Sequence, residues 1–339
     1  MRLHLGYVPL CDAAPVIAAH EMGFARAEGL ELDLAAEPSW ATLRDRLALG
    51  YLDAAHILAP LALASALALS GPPSDLIVPL SLSLNGNAIT LSNPLWAAMA
   101  PESEDLADVA RAFGRVARER RAAGRPLTLG TVHPFSCHTY QLRLFAEAGG
   151  LDPAAFRLVV VPPQHSVETL SRGIVDGFCA GAPWNAVAVA AGLGRIAALG
   201  CEVAPDAPEK VLAVSPRLDG AILPLVRAVA SAGRWCADPA NRTELVHRLA
   251  RRPYLNLDAG LIARALDGTI TLDESGRQRA ARDYLRLDAA AQEPRADHLR
   301  WLMAQMRAAG QVPDGDDLAA AAEAVYRRDL YAAAGLTSG

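Results

Sequence analysis

Short apolar runs recur along the chain, each followed by a stretch with helical spacing. Leu3 to Val8 (LHLGYV) reads as a strand, and Asp12 to Met22 as a helix that Gly23-Phe24 ends. Leu30 to Ala35 (LELDLA) alternates apolar and acidic residues, the pattern of a strand with one buried face. Ser39 is placed to cap a helix from Trp40 to about Leu49, with Gly50 as its stop. Asp53 to Leu58 reads as a short strand, a helix follows to about Leu69, and Leu76 to Leu84 is the next strand. A second series begins with a charged helix, Ser103 to Ala123. It continues with strands at Leu127–Val132, Leu158–Val161, Val175–Ala180 and Leu212–Val214, and helices at Cys137–Gly149 and Ser166–Gly173. From about Gly220 onward the spacing is mostly helical. Strand–helix alternation implies parallel α/β sheets, so the pattern predicts two α/β units and a helical C-terminal third. Gly71-Pro72-Pro73 and Pro313-Asp314-Gly315 read as loops, and no tandem repeat interrupts the order.

Composition narrows the class. The chain has 339 residues, enough for two or three compact units, and 52% of them are apolar. A formal charge of −5 with no basic run argues against direct nucleic-acid contact. Five cysteines, an odd number at wide spacing, do not make a disulfide framework and fit a reducing compartment better. His4, Pro9 and Asp12 break the apolar start, so the expectation is no secretory leader and a cytoplasmic location. The longest apolar run, Ile57 to Leu69, holds Pro60 and Ser65 and reads as a buried helix, with no membrane span expected.

The sequence has no HExxH, no GxSxG, no phosphate loop of the GxxxxGK[ST] type and no GxGxxG after a strand. Cys137 and His138 are adjacent, so on a helix their side chains diverge and do not form a nucleophile–base pair. His133, Cys137 and His138 fall short of a supported zinc site, and neither a metal nor a cofactor is expected. Two helix starts, Ser39-Trp40 and Ser136 to His138, present backbone N–H groups suited to an anion. Gly177 to Asn185 packs small residues between a strand and a helix. Lys210 is the only lysine; apart from the histidines, every other basic side chain is arginine. By pattern alone Trp40 reads as a core or cap residue, His138 as a solvated helix-start histidine and Lys210 as a surface lysine. The ligand stays open on that reading.

Several segments together resemble the nitrate- and bicarbonate-binding branch of the periplasmic solute-binding proteins. They are LGYVPLCDAAPVIAAHEMGFARAEGL at 5–30, SWATLRDRLALGYLDAAHILAPL at 39–61, LNGNAITLSN at 84–93, HPFSCHTYQLRLFAEAGGLDP at 133–153, VDGFCAGAPWN at 175–185, PEKVLAV at 208–214 and RWCADPANRTELVHRLARRPYLNL at 234–257. The resemblance keeps its order from about residue 3 to about 310. It implies an α/β, two-lobed periplasmic-binding-protein-like II fold with a hinge and a helical C-terminal part. The ligand would sit in a cleft between the lobes, and closure about the hinge would be the motion. Residues 1–93 would begin lobe 1, 94–212 would form lobe 2, and 213–339 would return to lobe 1 with the C-terminal helices. By motif the resemblance implies a nitrate or nitrite site made of Trp40, Asn87, His138, the Gly181 backbone and Lys210, with Asn87 standing where a glutamine is expected. Ala182 stands where relatives often carry glutamate, and the bicarbonate branch is implied to use an acidic residue and calcium at the site. Lys210 therefore speaks for nitrate or nitrite.

A leaderless member of this branch resembles the NasS-type cytoplasmic sensor of nitrate assimilation. That resemblance implies a partner, a NasT-type RNA-binding antiterminator, which the anion would release by binding the partner-free form more tightly. The competing readings are the receptor component of an ABC nitrate importer and an enzyme built on a binding-protein fold; the expectation is that the chain is not an enzyme.

Overall fold

A computed structural model of the chain describes residues 1–313 and 318–336; most of the Pro313-Asp314-Gly315 loop signal lies outside them. In chain order the strands are β1 (Arg2–Tyr7), β2 (Glu31–Ala36), β3 (Ala54–Leu58), β4 (Ile77–Asn85), β5 (Asn87–Ser92), β6 (Thr128–Thr131) and β7 (Arg157–Val160). They continue as β8 (Gly177–Gly181), β9 (Gly194–Leu199), β10 (Pro208–Val214), β11 (Thr269–Thr271), β12 (Gln278–Ala280) and β13 (Leu285–Arg286). The chain divides into two compact units: residues 1–84, 208–259 and 286–339 form the first, and 85–207 with 260–285 the second.

The first unit is built on the sheet β13-β4-β10-β3-β1-β2. Strands β2, β1 and β3 run parallel, as the strand–helix alternation predicts, but β10 pairs antiparallel with both β3 and β4. The covalent path explains the departure. The chain leaves this unit after β4 and re-enters along β10, and an outgoing and a returning strand side by side must point opposite ways. All five residues of β3 and all seven of β10 are buried, so the interior strands read as continuous apolar runs interrupted by a few polar residues.

The second unit carries the sheet β7-β6-β8-β5-β9. Here β5 is antiparallel to β8 and β9, while β6 is parallel to β7 and β8. Beneath it Phe113 packs against Phe145 and Phe156, with ring centroids 5.2 and 6.3 Å apart. The boundaries differ from the sequence expectation at three places. Residues 85–93 belong with the second unit, because β5 is the strand between β8 and β9. Residues 208–212 belong with the first, because β10 lies between β3 and β4. Residues 260–285, expected in the return to the first lobe, pack with the second unit, where the Ile196 N–H donates to the Leu272 carbonyl at 2.9 Å. The C-terminal third is helical apart from the β11–β12 hairpin and the short β13.

Among the described residues no helix is long and apolar enough to cross a membrane.

Candidate functional site

In the first unit the predicted tryptophan and lysine come together. The helix Trp40–Ala48 begins where expected: Ser39 Oγ accepts the Thr42 N–H at 3.1 Å, which satisfies one of the free donors of the first turn. This helix lies close against β1 because Gly6 has no side chain; a Cβ there would meet Leu43 and Leu52 at 2.5 Å. Trp40, the first helical residue, is 1% exposed. Its indole N–H is buried and has no hydrogen-bond partner among the described residues. The Lys210 ammonium sits 5.5 Å from the centre of the Trp40 rings.

Lys210 is fully buried on β10, not at the surface. Its Nζ lies 2.9 Å from Asp12 Oδ2 and 2.9 Å from Glu209 Oε2. Glu209 and Lys210 are sequence neighbours, which in a regular strand point to opposite faces. The pairing of β10 with β4 slips on both sides of Lys210, and this irregularity lets the two side chains meet. Asp12 comes from the turn Cys11–Ala13 that follows β1, and its Oδ1 lies 2.9 Å from His56 Nε2 on β3. The His56 ring stacks at a tilt on Trp40, with centroids 5.6 Å apart. Asp12, His56, Lys210 and Trp40 therefore form one buried cluster assembled from four segments.

The electrostatics of this cluster follow from its pairings. Burial alone would raise the Asp12 carboxyl, but the Lys210 ammonium and the His56 hydrogen bond outweigh it and hold Asp12 far below the usual carboxylate range. Burial disfavours the Lys210 ammonium, yet Asp12 and Glu209 more than restore it and hold its pKa above that of an ordinary lysine. Burial lowers the His56 imidazole, Asp12 partly offsets this, and Lys210 works in the same direction as burial. At neutral pH the cluster holds an ammonium and an ionised Asp12 beside a neutral imidazole.

In the second unit the predicted residues are an amide, an imidazole and backbone. Asn87, the first residue of β5, is directly opposite Gly181, the last residue of β8. The Asn85-Gly86 turn that leads into β5 needs positive φ at both residues, 61° and 97°. Asn87 Nδ2 donates to Gln141 Oε1 at 3.0 Å. Gln141 is one turn beyond His138 on the helix Cys137–Ala148, whose cap, Ser136, accepts the Thr139 N–H at 3.2 Å. His138 is fully buried in the first turn rather than solvated. Gly200 stands close by; a Cβ there would meet the Asn87 carbonyl and Gln141 Nε2, both at 2.9 Å.

Four contributors escape a reading of the sequence: Asp12, His56, Glu209 and Gln141. Asp12 shows only as a polar break in an apolar start and His56 only as one residue in a strand. The one available signal for Gln141 is its helical spacing of three from His138. Among the described residues no three His, Cys, Asp or Glu side chains come together as a metal ion would need. All five cysteines are free thiols, and burial pushes those of Cys11 and Cys236 well up.

A model of the NMT1-like family matches residues 1–250. The nitrate/nitrite binding protein NrtA of Synechococcus elongatus is 32% identical over 341 residues, covering 96% of this chain and 76% of that protein. The bicarbonate transport ATP-binding protein CmpC of the same organism is 33% identical over 322 residues, covering 92% of this chain but 46% of that protein. The chain spans about half the length of the ATP-binding relatives it matches. The crystal structure of the periplasmic nitrate-binding protein NrtA from Synechocystis PCC 6803 aligns with a TM-score of 0.90 at 27% identity, covering 98% of this chain and 88% of that one.

Proposed function

Because this chain belongs to the NMT1-like family and has a mixed α/β, two-lobed solute-binding fold, we propose that it binds nitrate or nitrite and does so as a binding protein, without turnover. The observation that carries this reading is the fully buried Lys210 ammonium beside the Trp40 indole, whose N–H has no partner among the described residues. A charge-assisted hydrogen bond contributes roughly 1.5–3 kcal/mol net, and a flat monovalent oxyanion accepts such bonds on three oxygens. Lys210 and Trp40 supply the charged and apolar-edged part of the site in the first unit. Lysine in place of a metal favours nitrate or nitrite over bicarbonate. Calorimetry of the purified chain against nitrate, nitrite, bicarbonate and sulfate, repeated on Lys210→Ala, tests this. Nitrate or nitrite binding that Lys210→Ala abolishes supports it; binding of bicarbonate alone contradicts it.

The names of the relatives favour the import role. The NrtA proteins are named as nitrate/nitrite binding proteins, and the ATP-binding relatives are named for nitrate import and bicarbonate transport. We therefore infer that the chain serves as the anion-binding component of an ABC-type importer, ahead of the cytoplasmic sensor that controls a NasT-type antiterminator. The sensor reading rests on the resemblance to the NasS-type branch alone. A pull-down of the antiterminator at zero and millimolar nitrate separates the two: complex that nitrate dissolves would reverse the order, and no complex at either concentration upholds it.

A further inference from the structure

Lys210 Nζ carries three N–H bonds. Two are directed to Asp12 Oδ2 and Glu209 Oε2, each at 2.9 Å. The third is left for a ligand, and the Trp40 ring, whose indole N–H is buried without a partner among the described residues, has its centre 5.5 Å from the ammonium. An anion that takes both donors comes to rest next to the Asp12 carboxylate. We propose that Asp12 sets the valence of the anion this chain accepts, its fixed charge admitting a monoanion and rejecting a dianion. The proposal rests on the anion-binding reading above.

Asp12 is suited to this because its charge is locked. It is 2% exposed, and both of its oxygens are engaged, Oδ1 with His56 Nε2 and Oδ2 with Lys210 Nζ, at 2.9 Å each. His56 is fully buried, so no solvent screens the pair. The ammonium attracts each charge on a ligand, while Asp12 and Glu209, each 2.9 Å from it, repel each charge at a comparable distance. The charges of the cluster therefore offer no gain when the ligand charge doubles, and the direct hydrogen bonds from Lys210 and Trp40 carry the attraction. The cost of stripping water from the ligand rises with the square of its charge, so a second charge is opposed far more strongly than the first. Removing the Asp12 charge relieves a dianion of twice the repulsion that it relieves a monoanion. The ratio of affinities for the two valences, rather than either affinity alone, reports this role.

Calorimetry of nitrate and of sulfate on the full chain provides the test, with Asp12→Asn as the main variant. The wild-type chain is expected to bind nitrate and to bind sulfate at least about 100-fold more weakly. Asp12→Asn keeps the shape, its one amide oxygen accepting from Lys210 while its NH2 faces His56 in the other tautomer, and it should narrow that ratio by about tenfold or more. Asp12→Ser removes the same charge with a smaller side chain and stands in should the asparagine variant not fold. His56→Gln disturbs the same cluster but leaves the Asp12 charge in place, so it should keep the wild-type ratio within about twofold. A ratio unchanged in the Asp12 variants, a wild-type chain that binds sulfate as well as nitrate, or a His56→Gln ratio moved as far as that of Asp12→Asn would each overturn the proposal and leave nitrate binding standing. A wild-type chain that binds no nitrate overturns the anion-binding reading itself.

Discussion

The polar side chains of the two units differ in kind. The first unit buries an ionic cluster, Lys210 between Asp12 and Glu209, with His56 behind Asp12 and Trp40 beside the ammonium. The second unit buries amides and an imidazole, Asn87 hydrogen-bonded to Gln141 and paired across the sheet with Gly181, with His138 one turn before Gln141. A buried charge needs fixed counter-charges to be tolerated, which is why the ionic cluster draws on four separate segments. Amides and backbone need only hydrogen-bond geometry, and one strand pair with one helix start provides it. The first set thus carries the charge on which the proposed anion binding and its valence preference rest, and the second offers amide, imidazole and backbone groups.

The largest effect is expected from Lys210. Lys210→Met should abolish nitrate binding, at least about 100-fold by calorimetry. It also strands Asp12 and Glu209 as buried carboxylates, so a thermal melt should register a loss of about 3–5 kcal/mol. The same variant with unchanged affinity would move the anion away from the ionic cluster altogether.

Trp40→Phe comes next. It keeps most of the ring packing and removes only the indole N–H, so nitrate affinity should fall about tenfold while the melting temperature moves by no more than a few degrees. A fall in both by similar proportions would make Trp40 a packing residue alone.

Smaller still is the effect expected in the second unit. Gln141→Leu removes the Oε1 that accepts from Asn87 Nδ2, and a urea melt should show a loss of about 1–3 kcal/mol, with no change in preference between nitrate and sulfate. A change in that preference would blur the division between the two units.

The pH dependence sharpens the comparison from the side of stability. Burial holds His56 below its ordinary value, so near and below about pH 6.5 the unfolded chain binds a proton that the folded chain does not, and stability falls as the pH drops. Asp12, held far below the usual carboxylate range, adds a further loss that sets in as the pH falls through about 4, where the unfolded carboxyl takes up its proton. Urea unfolding at pH 7.5, 6 and 5 should show a decline of at most about 1.4 kcal/mol per pH unit from His56, and His56→Gln should flatten it. A slope unchanged in that variant would place the titrating group elsewhere.

Local chemistry was the readable part of the sequence. Ser39 and Ser136 cap the two helices that carry Trp40 and His138, as their places before those helices predict. The lone lysine stood out by type alone. Strands β5 and β9 were harder, because a strand buried on both faces, such as NAITLS, shows no alternation to set it apart from a buried helix segment. The antiparallel pairing of β10 depends on the chain leaving one unit and returning, which no local pattern encodes. The roles of Asp12 and His56 were illegible for the same reason: residues 12, 56 and 210 meet only because β1, β3 and β10 are neighbours in one sheet. Type and spacing reveal a residue that is unusual in itself, but not one made important by a distant partner.

The single lysine also gives the most direct test of the central claim, that the Lys210 ammonium itself holds the anion. Labelling the chain with 15N-lysine yields one side-chain Nζ resonance. On titration with nitrate that resonance is predicted to shift and saturate, with the same midpoint as the calorimetric curve. A resonance that stays in place while calorimetry records nitrate binding would contradict the account.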